Sequence, residues 1–280
     1  MLSLLPSELS VPKLHHYLLG AVGPRPIAFA STIDKEGNRN LAPFSFFNVF
    51  SSKPPLLIFS PNRSSRTGET KHTHENVKEV PEVVINIVNY DMVHQMSLAS
   101  SPYPKGVDEF IKSGFTPIES HTVKPWRVKE SPVQLECKVL EVKELGQSGG
   151  AGNLIICEVT CIHINEEVLN ADGDIDQTKI DLVARMGGNW YCRAHGEALF
   201  EVQKPLTSIG VGIDALPLHI KNSSKLTGND LGRLGNIETF PEAEEIALVK
   251  AEYNQLQDPE SKAIELIQKG EVRKALCLLL

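Results

Sequence analysis

The chain has 280 residues, of which 41% are hydrophobic and 22% charged, a composition typical of a soluble globular protein with one or two cores. Its formal net charge of −7 disfavours binding to a phosphate backbone, so we expect no nucleic-acid partner. The five cysteines match neither a disulfide framework nor paired CxxC zinc ligands, and the apolar segments at both ends are too short to span a bilayer. We therefore expect a cytoplasmic protein with reduced thiols and no membrane partner.

Strand-like segments dominate the first part of the chain. β-branched, aromatic and aliphatic residues are concentrated at about residues 25–33, 40–50, 56–60, 82–89, 132–145 and 153–165. Gly, Pro, Asn and Ser clusters separate several of these segments, which predicts a mainly β, antiparallel domain. The segment ELGQSGGAGNL lies between the last two strands, and we interpret it as a hairpin connection rather than a phosphate-binding loop.

Two helices, at about residues 73–80 and 91–99, interrupt the strands and are expected to cover them. Beyond about Pro205 the chain becomes loop-rich and then shows three short helical patterns. We place a domain boundary there, giving residues 1–205 and 206–280. A one-sided apolar stripe in the first of these helices must pack against its own domain or a partner subunit; it comprises Ile246, Val249, Tyr253 and Leu256.

The first predicted hairpin, residues 23–50, carries several small polar side chains. They are Ser31, Thr32, Asn40, Ser45 and Asn48. Strand hydroxyls and amides of this kind can cap a bulge, face water or contact a polar ligand, and the residues alone do not choose among these roles.

A candidate anion site follows at residues 60–76. Arg63, Arg66 and Lys71 lie there among five hydroxyl residues, just ahead of a predicted helix. With Thr73 as the N-cap, the free amides and the helix dipole would favour a phosphate. An ordinary capped helix with solvated cations explains the same pattern equally well.

No metal site is expected from spacing. His72 and His74 would point to different sides of a helix and offer only two ligands. Cys157 and Cys161 are expected on the same side of a strand as core residues, because no third and fourth ligand completes a metal site near them in the sequence.

Several motifs in order resemble one family. PRPIAFAST, GNRNLAPFSFFNVF, SSKPPLLIFS, KHTHEN and VVINIV are similar to segments of the flavin reductase-like, FMN-binding split-barrel family, which includes flavoredoxin-type proteins. The resemblance covers about residues 20–200. It implies a six-stranded antiparallel Greek-key split barrel with covering helices, to which the C-terminal helical extension is added. It also implies a homodimer with one FMN per subunit near the dimer interface.

The resemblance also implies roles for individual residues. Flavin ring and ribityl contacts would come from Ser31, Thr32, Ser45 and Asn48, and phosphate contacts from Ser60, Arg66, Lys71 and Thr73. The segment at residues 182–196 resembles the late family segment and would close over the flavin. His72 stands where the family usually has an aspartate.

The function implied is that of an NAD(P)H-dependent flavin reductase, in which hydride passes from the nicotinamide to flavin N5 and no side chain is a catalytic acid or base. The alternatives are a flavoredoxin-like electron carrier without nicotinamide reductase activity and, less in keeping with the polar hairpin, a cofactor-free interaction protein. No dinucleotide fingerprint distinguishes NADH from NADPH as the donor.

Overall fold

The computed structural model describes residues 1–202 and 205–280. The chain forms two compact units, Met1–Phe200 and Glu201–Leu280. That residues 1–205 form the FMN-binding domain and residues 206–280 a separate C-terminal extension stays a prediction. Among the described residues, no helix is both long and apolar enough to cross a membrane.

The strands lie in the first unit and pair antiparallel. In chain order they are β1 Ala28–Ile33, β2 Arg39–Phe44, β3 Phe47–Ser52, β4 Pro55–Phe59, β5 Glu82–Ile87, β6 Pro117–Ile118, β7 Arg127–Val128, β8 Val133–Glu144, β9 Asn153–Ile164, β10 Val183–Arg185 and β11 Tyr191–Arg193. Within the described chain the main sheet has seven strands in the order β2-β1-β5-β8-β9-β4-β3, while β6–β7 and β10–β11 form two small pairs.

The main sheet has one strand more than the six predicted. The segment expected as a single strand at residues 40–50 breaks at Ser45 and Phe46 into β2 and β3. These two strands lie at opposite ends of the sheet order. In a flat sheet those ends would be about 29 Å apart, whereas the short connection from Phe44 to Phe47 spans at most about 11 Å. The sheet must therefore curl back on itself, as a barrel does.

Side chains that alternate along β1 pack into two different apolar clusters of the first unit. Phe29 packs with one apolar cluster, which includes Leu41, Met92, Phe110 and Phe115. Ala28 and Ala30 belong to a second cluster, which includes Phe59, Val77, Ile85 and Ile155. Because successive strand side chains point to opposite faces, both faces of this strand are buried, and its first three residues pack into apolar clusters on the two sides.

Four helices accompany the sheet in the first unit as described. They are α1 Val11–Ala21, α2 His72–Glu79, α3 Val93–Ala99 and α4 Glu109–Ser113. The helix predicted at residues 91–99 is a 3₁₀ turn, Tyr90–Met92, followed by α3. Further 3₁₀ turns span Pro6–Glu8, Glu166–Val168 and Gly196–Ala198. The glycine-rich segment is the connection between β8 and β9, as expected.

A bulge in β9 overturns the expectation that Cys157 and Cys161 face the same side. Glu136 pairs with Cys161 but the next residue, Cys137, pairs with Val159, so Thr160 is an extra residue in β9. An extra residue reverses the alternation beyond it. Cys157 is therefore buried in the core, whereas Cys161 is half-buried on the face of Glu136.

The second unit is helical and has its own core. Its helices are α5 Leu218–Lys221, α6 Gly228–Gly235, α7 Ala243–Glu252, α8 Pro259–Gln268 and α9 Val272–Leu279. The core includes Leu234, Leu266, Ile267 and Leu276, and Val249 and Tyr253 of the predicted stripe pack against it. Two of the four stripe residues thus pack within their own unit. Leu256 lies beyond the end of α7 and is 37% exposed.

Candidate functional site

A cavity of about 500 Å³ opens between β2, the loop before α2 and the segment after α3. The floor is formed by Asn40, Ala42, Pro43 and Phe44 of β2. Polar side chains from the loop and the start of α2 form one wall, and Ala99–Tyr103 form another. The volume lies within the usual range for small-molecule sites.

A smaller cavity of about 170 Å³ adjoins the first and shares Pro43, Phe44 and Ser100 with it. Ser45 lines this cavity, together with Arg185 and Tyr191 of the β10–β11 pair. The Arg185 guanidinium lies 4.7 Å from the centre of the Tyr191 ring. The late segment at residues 182–196 therefore reaches the wall of the smaller cavity, next to the candidate site.

The N-terminus of α2 borders the large cavity. Lys71 is the N-cap residue, and in the described part of the chain no side-chain hydrogen bond caps the helix. The prediction of Thr73 as the N-cap was wrong, because the N-cap lies two residues earlier, at Lys71, and Thr73 lies buried in the first turn of the helix. Uncapped amides at a helix start favour an anion.

Two cations lie beside this helix start. Arg66 and Lys71 both line the large cavity and are exposed. Within the described residues neither forms an ion pair with a carboxylate, although Glu69 and Glu109 also line the cavity. Burial raises the pKa of Glu109, and the N–H of Leu41, which donates to its carboxylate, offsets that only in part.

A buried hydrogen-bond network holds the helix start in place. The Asn40 side-chain amide donates to the hydroxyls of Thr73, at 2.9 Å, and Thr32, at 3.3 Å. Asn76 of α2 donates to the same Thr32 hydroxyl, at 3.1 Å. The network joins β1, β2 and α2, so Thr32 is linked to the cavity through Asn40 and Thr73, which line it. Asn40 and Asn76 were missed as site residues; the only sequence signal was the polarity of Asn40 in the first hairpin.

Three other predicted site residues lie away from the cavity lining. Ser31 is completely buried, and its hydroxyl has no partner in the described structure. Asn48 is exposed on β3 and accepts a hydrogen bond from the N–H of Val49. The Ser60 hydroxyl donates to Asn62 and accepts from the N–H of Asn153. Direct flavin contacts by these three side chains remain predictions.

The third predicted cation, Arg63, stabilises the loop that precedes α2, which forms one wall of the large cavity and is called the cavity loop below. Its guanidinium donates to Gln147 at 2.8 Å and to the carbonyl of Gly68 at 3.2 Å. Its backbone exchanges hydrogen bonds with Gly150 and Ala151 of the β8–β9 connection. Arg63 thus connects the cavity loop to the hairpin instead of joining Arg66 and Lys71.

The two histidines of α2 lie on different sides of the helix, as predicted. His72 lines the large cavity. His74 is buried with Nε2 3.3 Å from Glu144, and burial lowers its pKa below the usual value.

The site is suited to an elongated ligand with an anionic end. One end offers Arg66, Lys71 and an uncapped helix start, and the other offers Phe44, Ser45 and Tyr191. FMN has this distribution, with a phosphate at one end and a flat, partly polar ring system at the other. The residues present therefore fit the cofactor that the sequence implied.

Comparison with known proteins identifies relatives of most of the first unit. A model of the flavin reductase like domain matches residues 21–179. An uncharacterised protein of Aquifex aeolicus is 36% identical over 190 residues, which are 68% of this chain and 94% of that protein.

Among solved structures, nitrilotriacetate monooxygenase component B from Bacillus cereus has a TM-score of 0.67 and 32% identity, over 72% of this chain and 98% of that one. A structure with a split barrel domain from Shewanella frigidimarina has a TM-score of 0.60 and 27% identity, over 71% of this chain and 95% of that one. These matches confirm the predicted resemblance and the split-barrel fold. The chain belongs to the flavin reductase-like domain family.

Proposed function

We propose that the protein is an NAD(P)H-dependent flavin reductase that binds FMN. The observation that carries this proposal is the large cavity, where two cations without ion pairs flank an uncapped helix start. Membership of the flavin reductase-like family supports a redox role for the bound ligand.

The preference for FMN over riboflavin rests on the charged end of the cavity. Arg66 and Lys71 would hold the phosphate together with the first amides of α2, and Thr73 would fix the position of the helix through Asn40. Ser60 would contribute indirectly by holding the cavity loop in position, since its hydrogen bonds join that loop to the start of β9.

The other end would hold the flavin ring. Ser45 offers a hydroxyl beside the aromatic ring of Phe44, and Ala42–Phe44 form the shared floor of the two cavities. When bound, FMN would supply the redox chemistry by accepting a hydride from the nicotinamide at N5. The chain would bind and orient the two reactants, and the smaller cavity provides room beside the shared floor for the donor.

A homodimer is part of the proposal. β3 lies at the end of the sheet order, and Val49 and Phe50 on it are 61% and 63% exposed. Apolar side chains on an edge strand are a typical site of association. A second copy of this chain would cover them and bring Asn48 close to its interface.

The proposal extends to the recipient of the reduced flavin. The Bacillus cereus protein is named as component B of a monooxygenase. We therefore propose that the reduced flavin serves a separate oxygenase-type enzyme, and that both work in the cytoplasm.

Anaerobic reduction tests the function. Purified protein reconstituted with FMN is mixed with NADH or NADPH, and flavin absorbance is followed in a stopped-flow instrument. We expect rapid bleaching that saturates with one of the two donors. If neither donor bleaches the flavin while a protein electron donor does, the reductase proposal falls and an electron carrier replaces it.

A further inference from the structure

Three metal-binding side chains meet on the outer face of the sheet, away from the candidate flavin site. One ligand atom each of His121, Cys161 and His163 lies within 4.8 Å of the other two. The Cys161 sulfur is 3.4 Å from His163 Nε2, and the two imidazole rings meet edge to face with centres 4.6 Å apart.

The fold assembles this cluster from two distant parts of the chain. Cys161 and His163 are two residues apart on β9, so their side chains share one face of the strand. The bulge at Thr160 turns that face away from the core cluster containing Cys157. His121 comes from the connection between β6 and β7 and lies over the same face.

We propose that His121, Cys161 and His163 bind a zinc ion. Two imidazole nitrogens and one thiolate are preferred zinc ligands, and three protein ligands with an open fourth position are a common arrangement. Bond lengths of about 2.0–2.3 Å place neighbouring ligand atoms roughly 3.3–3.7 Å apart in a tetrahedron. The Cys161–His163 pair already has that spacing. Side-chain rotation of the exposed His121 supplies the remaining adjustment.

Glu136 holds the two halves of the site together. Its completely buried carboxylate accepts hydrogen bonds from the N–H groups of His121 and Thr122 and from the Thr122 hydroxyl. It also lies 2.7 Å from His163 Nε2. When His163 turns this nitrogen to the metal, Glu136 keeps its other three donors and is not left unsatisfied.

The local charges permit a divalent cation. Binding converts the Cys161 thiol to a thiolate and releases its proton to solvent, so the thiolate and Glu136 together balance the ion. Arg127 is the cation that faces this carboxylate among the described residues, with Nε 3.8 Å from it. The released proton also means that affinity should fall as the pH is lowered.

Metal content tests the proposal. The full chain is produced with zinc in the medium, desalted into metal-free buffer and analysed by mass spectrometry of metals. We expect about one zinc per chain, and in the cobalt-substituted protein a thiolate-to-cobalt charge-transfer band. Cys161→Ser should abolish that band, and both Cys161→Ser and His121→Ala should weaken zinc binding by at least about 10–100-fold.

Matched control variants distinguish zinc binding at this site from incidental zinc binding by other thiols or imidazoles. Cys192→Ser removes another half-buried cysteine, and His94→Ala removes another exposed histidine, and both should keep the zinc. His121 is exposed, so its alanine variant should fold even if the Cys161 variant does not. Wild-type protein that retains no zinc, or ligand variants that retain as much as wild type, would overturn the proposal.

Discussion

At the scale of single residues, the candidate site depends on which side chains are free and which are already engaged. Lys71 lines the cavity without an ion pair in the described chain, whereas the Thr32 hydroxyl accepts two hydrogen bonds inside the sheet. The first can contact a ligand directly and the second acts through its neighbours.

Lys71→Ala should weaken FMN binding by about ten-fold or more and leave riboflavin binding nearly unchanged. A hydrogen bond to a charged group contributes about 1.5–3 kcal/mol, and only FMN carries the phosphate. Fluorescence titration with both flavins measures the difference. Lys129→Ala removes an equal charge at an exposed position and should change neither affinity. An equal loss for both flavins would place Lys71 away from the phosphate.

Thr32→Val should lower both the melting temperature and the affinity for FMN. The substitution removes the Thr32 acceptor from the amides of Asn40 and Asn76, although Asn40 still donates to Thr73. Each buried N–H left unsatisfied costs about 1–3 kcal/mol. Ser31→Ala is the matched control, because the Ser31 hydroxyl has no partner among the described residues and its loss should be nearly neutral. Impaired FMN binding by Ser31→Ala with an unchanged melting temperature would instead support the direct flavin contact predicted from sequence.

Glu136→Gln should reduce acid sensitivity as well as stability near neutral pH. Burial opposes ionisation of Glu136, but hydrogen bonds from His121, Thr122 and His163 outweigh it and lower its pKa from 4.5 to about 2. A carboxyl whose pKa is lower in the folded protein stabilises the fold above its unfolded value, and this stabilisation is lost as the pH falls from about 4.5 towards 2.

The measurement is the free energy of unfolding against pH, with a chelator present so that metal binding does not contribute. The wild-type protein should lose stability across that range more steeply than Glu136→Gln. Parallel pH profiles for the two proteins would contradict the assignment of acid sensitivity to this carboxylate.

At the scale of elements, the position of the cavity loop is set by the β8–β9 hairpin, which packs directly against it. A Cβ atom on Gly149 would lie 2.9 Å from the carbonyl oxygen of Ser64, closer than real contacts allow. Arg63 joins the same two segments through backbone hydrogen bonds to Gly150 and Ala151. The hairpin connection lines neither of the two described cavities, yet it constrains the loop that carries Arg66.

Gly149→Ala should therefore displace the loop and weaken FMN binding several-fold, with a smaller effect on riboflavin because the displacement is at the phosphate end. Titration of both flavins tests this. Gly20→Ala serves as the control, since a Cβ atom there meets nothing within 4 Å. Unchanged FMN affinity for Gly149→Ala would mean that the loop tolerates the shift.

At the scale of the whole molecule, each of the two units has its own core. The cavity-lining residues all lie in Met1–Phe200, and the C-terminal unit packs Leu234, Leu266 and Leu276 within its own cluster. The family match also ends at residue 179, well before the second unit begins.

A chain ending at Phe200 should bind FMN with an affinity within about three-fold of the full chain, because the cavity loses none of its lining residues. The full-length protein, measured in parallel, is the reference for affinity, melting temperature and oligomeric state. Loss of FMN binding in a folded truncated protein would show that the C-terminal unit contributes to the site.

Local patterns in the sequence were sufficient to predict several features of the fold and the site. Alternation and turn residues located the strands of the main sheet to within a few residues, apart from the break between β2 and β3, and the ordered motifs identified the family. The short strands of the β6–β7 and β10–β11 pairs were not predicted. They also indicated the cationic loop that lines the cavity through Arg66 and Lys71. These features follow from side-chain periodicity and from short segments, which a sequence displays directly.

Tertiary structure decided which polar groups meet. The break at Ser45, the bulge at Thr160 and the burial of Thr73 beneath Asn40 depend on how strands pair and curl, and alternation along one segment does not encode that. The approach of His121 to Cys161 requires the bulge in β9 together with a loop 40 positions earlier in the chain. Contacts between residues so far apart are set by the packing of the whole sheet, so only the folded chain reveals them.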